Sequence, residues 1–147
     1  MATAKNKQEL HRDIKETLGQ VPSWLDAMPD ESVAGFWGLM KDFYLAQTKV
    51  PNKYKELIGI AVSGATRCKY CALFHTEAAK LFGATDAEIA EAAMMAAHTM
   101  SASTFLNAMQ TDYEQFRRET LDAISYVRAH TPAQQQSAQQ KGAPAHA

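Results

Sequence analysis

Residues 56–75 read ELIGIAVSGATRCKYCALFH, and this stretch sets the fold. Leu57, Ile58, Ile60, Ala61 and Val62 crowd one helix with apolar side chains, and the spacing predicts a helix restarted by Pro51 and Asn52 and ended by Gly64. So apolar a helix is expected to lie centrally, with little of it facing water. A short turn then leads into a helix over about Cys68 to Phe82, closed by Gly83 as a left-handed cap. Two helices so closely joined pack antiparallel, which brings Glu56, two and a half turns before Gly64, toward the middle of the second helix.

Outward from this hairpin the pattern stays helical. The chain has 147 residues, with 26 alanines against 5 valines and 5 isoleucines, a mixture that favours helix and leaves strands without β-branched residues. Upstream, a polar helix over about Asn6 to Leu18 is stopped by Gly19. A loop with Pro22 and Pro29 follows, whose apolar island Trp24, Leu25 and Met28 acts as a lid or docking element. Asp30 offers an N-cap to a core helix running to about Thr48, with Val33, Phe36, Trp37, Met40, Phe43 and Tyr44 at three-and-four spacing. Downstream, Thr85 and Glu88 form a capping box for a helix that runs past Met100, and a surface helix over about Asp112 to Ala129 lines Tyr113, Phe116, Thr120, Ile124 and Val127 on one face. The fold class is all-α: an N-terminal helix and loop over 1–29, a helical domain over 30–130, and a tail over 131–147 too poor in apolar residues to order.

The charge balance narrows the function. Fifteen basic and sixteen acidic residues leave a net charge of −1 with no basic stripe, so nucleic acid is not an expected partner. Polar residues interrupt the uncharged stretch Ala92–Gln110 too often for a lipid-facing span, so no membrane partner is expected. Met1–Leu10 has no apolar secretory core, which makes the expected location cytoplasmic. In that compartment two cysteines point to redox chemistry, metal binding or packing.

Helical geometry makes the chemistry concrete. His75 lies about 40° round and about 6 Å along from Cys71, and close to the azimuth of Cys68, so all three share a face. A helix N-terminus and an imidazole one turn away both favour the thiolate, with Arg67 and Lys69 adding positive potential. A sulfur oxidised to sulfenic acid can condense with a second thiol at this spacing. Glu56, costly as a lone buried carboxylate, finds a partner in His75 and fixes its tautomer, as in an acid–histidine–nucleophile triad.

Glu56, eleven residues, Cys68-x-x-Cys71, three residues and His75 together resemble the active-site motif of the AhpD-like alkylhydroperoxidases in the carboxymuconolactone decarboxylase superfamily. The following HTEAAKLFGATDAEIAEA is similar to that family's helix, glycine and capping box, and the likeness spans about Asp30 to Ala129. The resemblance implies a subunit of about six helices, assembly into trimers or hexamers, and reduction of a hydroperoxide with no metal and no organic cofactor. It makes Cys71 the peroxidatic thiol, Cys68 the partner that meets an external dithiol or protein reductant, and Glu56 with His75 the proton relay. Some members carry histidine where this chain has Tyr70.

Other readings of the same residues compete. The cysteines can be small buried hydrophobes, or two thiolates and His75 can bind zinc with His98 or Glu56 as the fourth ligand. His98 itself reads as a hydrogen-bonded core histidine. Met94, Met95, Met100 and Met109 read as core or interface filler on a helix apolar all round, which points to a homo-oligomer. A decarboxylase-type enzyme with dispensable cysteines, and a non-enzymatic redox-sensing or interaction protein, are the alternative functions.

Overall fold

The computed structural model describes residues 7–131, and the expected tail beyond Thr131 lies outside the described residues. The chain forms two compact units, one reaching Met100 and one starting at Ser101. The described residues hold seven α-helices and one π-helical segment, with no strand among them.

In the first unit, α1 (Lys7–Leu18) turns Leu10 and Ile14 inward and ends at Gly19, whose φ of +78° makes the left-handed stop that only glycine adopts freely. A short helix, α2 (Ser23–Asp26), buries Leu25, and α3 (Asp30–Leu39) buries Val33 and Trp37. These five side chains form one apolar core, so the N-terminal helix and loop pack directly on α3. Asp13 ties the corner together: its carboxylate accepts from Trp37 Nε1 at 3.0 Å and from the Lys41 ammonium. Asp30 is not the cap that its position predicts. Pro29, with extended backbone, takes the N-cap place, and Asp30 sits in the first helical turn, where it accepts from Lys7 Nζ at 2.9 Å.

The expected helix to Thr48 also stops early. After Leu39 the chain widens into a π-helical segment, Met40–Leu45, and leaves the helix at Ala46. The next helix, α4 (Asn52–Thr66), supplies the reason, because its first turn satisfies the carbonyls that would otherwise continue the ladder. Asn52 Nδ2 donates to Leu45 O at 2.9 Å, and Lys55 Nζ to Phe43 O at 2.8 Å and Ala46 O at 2.7 Å.

The α4 helix buries one stripe, Asn52, Glu56, Ile60 and Ser63, while Ile58 and Val62 stay exposed. It is therefore less enclosed within this chain than its composition implies. Nor does Gly64 end it. The left-handed residue is Arg67, at φ 57°, and Cys68 N reaches back to Ser63 O at 3.0 Å, the closure of a Schellman turn. The backbone hydrogen bonds of that closure outweigh the cost of a non-glycine residue there. The chain then re-enters helix as α5 (Lys69–Leu81), which packs along α4 more extensively than any other described pair of helices. Residues about equidistant from Arg67, such as Gly59 and His75, meet across the pair, so the hairpin is antiparallel.

Gly83, again at φ +78°, closes α5, and the capping box opens α6 (Asp86–Ala108). Glu88 N donates to Thr85 Oγ1 at 3.2 Å, and Thr85 N donates to Glu88 Oε2 at 2.8 Å. Lys53 Nζ lies 2.6 Å from the other oxygen of Glu88 and, as the largest influence, holds that carboxyl below its usual range. Ile60, Ala79 and Ala84 form a second small core with Leu57, Ile89 and Ala92 around it. The α6 helix has no buried residue, and Met94 and Met95 are exposed.

In the second unit, Gln110 makes a left-handed turn at φ 50° and Asp112 caps α7 (Tyr113–His130) by accepting from Gln115 N at 2.7 Å. Its apolar residues, including Tyr113, Phe116, Ile124 and Val127, are all exposed. No described helix is long and apolar enough to cross a membrane.

Candidate active site

Three elements converge on one carboxylate. Glu56, on the buried stripe of α4, is 1% exposed, so an unpartnered charge there would be expensive. One of its oxygens, Oε2, accepts from the Tyr44 hydroxyl and lies 2.8 Å from His75 Nδ1, with the phenol oxygen 3.2 Å from the same ring nitrogen. Burial first, and the bond to Glu56 second, push the Tyr44 phenol far above the ordinary tyrosine value, so it stays protonated and donates. A carboxylate only accepts, so Nδ1 carries a proton toward Glu56 and Nε2 is the nitrogen left for chemistry.

Each side chain is held by its own surroundings. Lys55, next to Glu56, anchors the carbonyls on either side of Tyr44 through its bonds to Phe43 and Ala46. The wider π-turn thus ends in a fixed corner that aims the phenol at α4. On α5 the imidazole stands edge-on to the rings of Tyr44 and Phe74, with centroids 5.7 and 5.6 Å away. It lies so close to Gly59 that a Cβ at that position would overlap the ring.

The two cysteines open α5. Cys68 is its N-cap, in extended backbone, and its Sγ accepts from Cys71 N at 3.2 Å. A sulfur therefore occupies the place usually taken by a serine or aspartate oxygen. The sulfurs of Cys68 and Cys71 are joined as a disulfide, with 5.4 Å between the Cα atoms. Arg67 and Lys69 are both exposed, and the Lys69 ammonium rests over the Tyr70 ring, 5.2 Å from its centroid.

A groove of about 780 Å³ gathers Cys68, Cys71 and His75, with Tyr44 beside them. Glu56 reaches this space only through His75 and Tyr44. Of the four residues singled out by spacing, three thus line one cavity and the fourth supports the ring of the third. Such an arrangement can pass two electrons at sulfur and move a proton at Nε2.

Sequence reasoning missed Tyr44, assigned only to an apolar stripe; its signal is the one hydroxyl in a row whose other members are Val33, Phe36, Trp37, Met40 and Phe43. It also passed over Gly59, the glycine inside an apolar helix. Tyr70 lines the groove but is 77% exposed. His98 needs correction: it is exposed on α6, not a core residue, because that helix presents no buried face within the chain. Among the described residues no three His, Cys, Asp or Glu side chains are grouped to hold a metal ion, and Glu56 is already turned to His75 and Tyr44.

Comparison with known proteins identifies the fold and the family. A protein of Paracoccus denitrificans, uncharacterized protein 4 in the cox locus, is 30% identical over 95 residues, 60% of this chain and 84% of its own length. The crystal structure of the alkylhydroperoxidase AhpD core from Rhodospirillum rubrum matches with a TM-score of 0.65 at 28% identity, covering 74% of this chain and 84% of that one. A protein from Methanobacterium thermoautotrophicum matches with a TM-score of 0.51 at 31% identity, covering 59% and 96%. Residues 31–111, from the first turn of α3 to the turn before α7 and with the whole hairpin between them, match the carboxymuconolactone decarboxylase family. Over more than half of its length, and with an AhpD-like helical fold, the chain belongs to the carboxymuconolactone decarboxylase family.

Proposed function

We propose that this protein is a thiol peroxidase that reduces a hydroperoxide through Cys71 and Cys68 and is reset by an external dithiol. The observation that carries the reading is the convergence of the cysteine pair and the Glu56-bound imidazole on one groove. Cys71 precedes His75 by one helical turn, so its thiol gives its proton to Nε2. The thiolate attacks the hydroperoxide, the O–O bond breaks, and an OH group passes to sulfur as a sulfenic acid. His75 returns the proton to the departing alkoxide, which leaves as the alcohol. The Cys68 thiol then condenses with the sulfenic acid, forming the S–S bond and releasing water. Two electrons and two protons from the dithiol, itself left as a disulfide, restore both thiols.

The cap bond from Cys71 N supports the role of Cys68 as condensing partner, because it stabilises a thiolate at Cys68, the form that attacks the sulfenic acid. The exposed apolar side chains of α6 fit a homo-oligomer, a trimer or hexamer, working in the cytoplasm. Titrating the thiols of the reduced protein before and after one equivalent of cumene hydroperoxide tests the reading. Two thiols lost together, one equivalent of alcohol formed, and recovery with dithiothreitol are expected. Two thiols still free at neutral pH would refute it.

A further inference from the structure

The groove is built from more than the segment matched to the family. Its walls include Phe36, Leu39 and Met40 from α3 and the π-turn, and Tyr70 and Phe74 from α5. Trp24 completes it from α2, seven residues before the family match begins. This tryptophan is held, not loose. Its neighbour Leu25 is wholly buried in the first core, and its ring meets Phe36 edge-on at 5.9 Å, yet Trp24 itself remains 50% exposed.

Two properties of the space define what fits. At about 780 Å³ it exceeds by more than an order of magnitude what a molecule of hydrogen peroxide needs, for which a water's share of about 30 Å³ sets the scale. Among its described lining residues none is Lys, Arg, Asp or Glu, so nothing there pairs with a charged group, and burying one would be costly. Besides the two sulfurs, polar side-chain atoms in the lining belong to Trp24, Tyr44, Tyr70 and His75, all without formal charge or able to stay so. We infer that Trp24, from outside the family-matched segment, is the residue that selects bulky apolar hydroperoxides over hydrogen peroxide in this groove.

The inference rests on the peroxidase reading for its chemistry but not for its binding. Apolar contacts remote from the O–O bond hold the reacting oxygen beside sulfur, so removing one penalises bulky substrates selectively. The test pairs equilibrium binding with turnover, using wild-type protein, Trp24→Ala and Trp24→Phe. The neutral fluorescent probe N-phenyl-1-naphthylamine is expected to bind the wild type and to be displaced by cumyl alcohol. Its affinity falls at least fivefold in Trp24→Ala and recovers in Trp24→Phe. With dithiothreitol as reductant, the ratio of kcat/KM for cumene hydroperoxide to that for hydrogen peroxide falls about tenfold in Trp24→Ala and recovers in Trp24→Phe. Equal probe affinity in wild type and Trp24→Ala, or an unchanged substrate ratio, overturns the inference. Probe binding that depends on Trp24 with no hydroperoxide turned over refutes the peroxidase reading and upholds the groove as an apolar ligand site.

Discussion

Gly59 and His75 are packed so closely that no methyl group fits between the α4 backbone and the imidazole. The ring is thereby pressed to the depth at which Nδ1 meets Glu56 at 2.8 Å. Gly59→Ala is expected to displace the ring, costing about 1–3 kcal/mol of stability as overpacking does, and at least tenfold in hydroperoxide turnover. Denaturant unfolding and steady-state kinetics measure the two effects. A variant as active and as stable as the wild type would show that the close approach has no role.

Tyr44→Phe removes a donor from a carboxylate that is almost fully buried. Stability should fall by about 1–3 kcal/mol at neutral pH, since Glu56 keeps only its bond to His75. The same substitution changes the alkaline limb. The folded phenol has a raised pKa, so the unfolded chain loses that proton first, near the ordinary tyrosine value of about 10. The contribution is complete below that pH and is progressively lost above it. Urea midpoints measured from pH 8 upward should decline more shallowly in Tyr44→Phe than in the wild type.

The two cysteines should differ when replaced singly. Cys68→Ser keeps the attacking thiol but lacks its condensing partner, so one equivalent of hydroperoxide leaves a sulfenic acid that dimedone traps, visible as one mass adduct. Cys71→Ser should give no adduct and no turnover. The opposite pattern would exchange their roles.

Glu88→Gln separates the cap from its charge. Glutamine still closes the capping box, whereas the ion pair to Lys53 disappears. Because the folded Glu88 carboxyl is held below its usual range, its contribution is present above about pH 4.3 and is lost as pH falls through the folded value. The wild type should therefore lose more stability than Glu88→Gln on acidification from pH 6, and the difference should shrink in high salt, where the exposed pair is screened. Thermal melts across that range at two ionic strengths are the measurement.

Short-range chemistry was the legible part of this molecule. The antiparallel hairpin, the Thr85–Glu88 box and the gathering of Cys68, Cys71 and His75 follow from helical periodicity and capping, which sequence carries directly, whereas the left-handed cap at Arg67 in place of Gly64 does not. Tyr44 was not legible, because its role depends on a π-turn whose end is fixed by Asn52 and Lys55 from the following helix. Trp24 was readable as a docking island, but its position on the groove depends on the core that Leu25 shares with α1 and α3. His98 was misjudged as buried because a helix rich in alanine and methionine has no preferred face, so its pattern cannot say which side a chain covers.

The cap of α5 leaves an asymmetry with a physical cost. Most helices are started by an oxygen that takes no part in chemistry, whereas this one begins on an atom able to gain and lose electrons. Reduction changes the acceptor of the Cys71 amide from a disulfide sulfur to a thiol or thiolate, so amide exchange at Cys71 offers a report on the oxidation state of the pair that needs no thiol reagent.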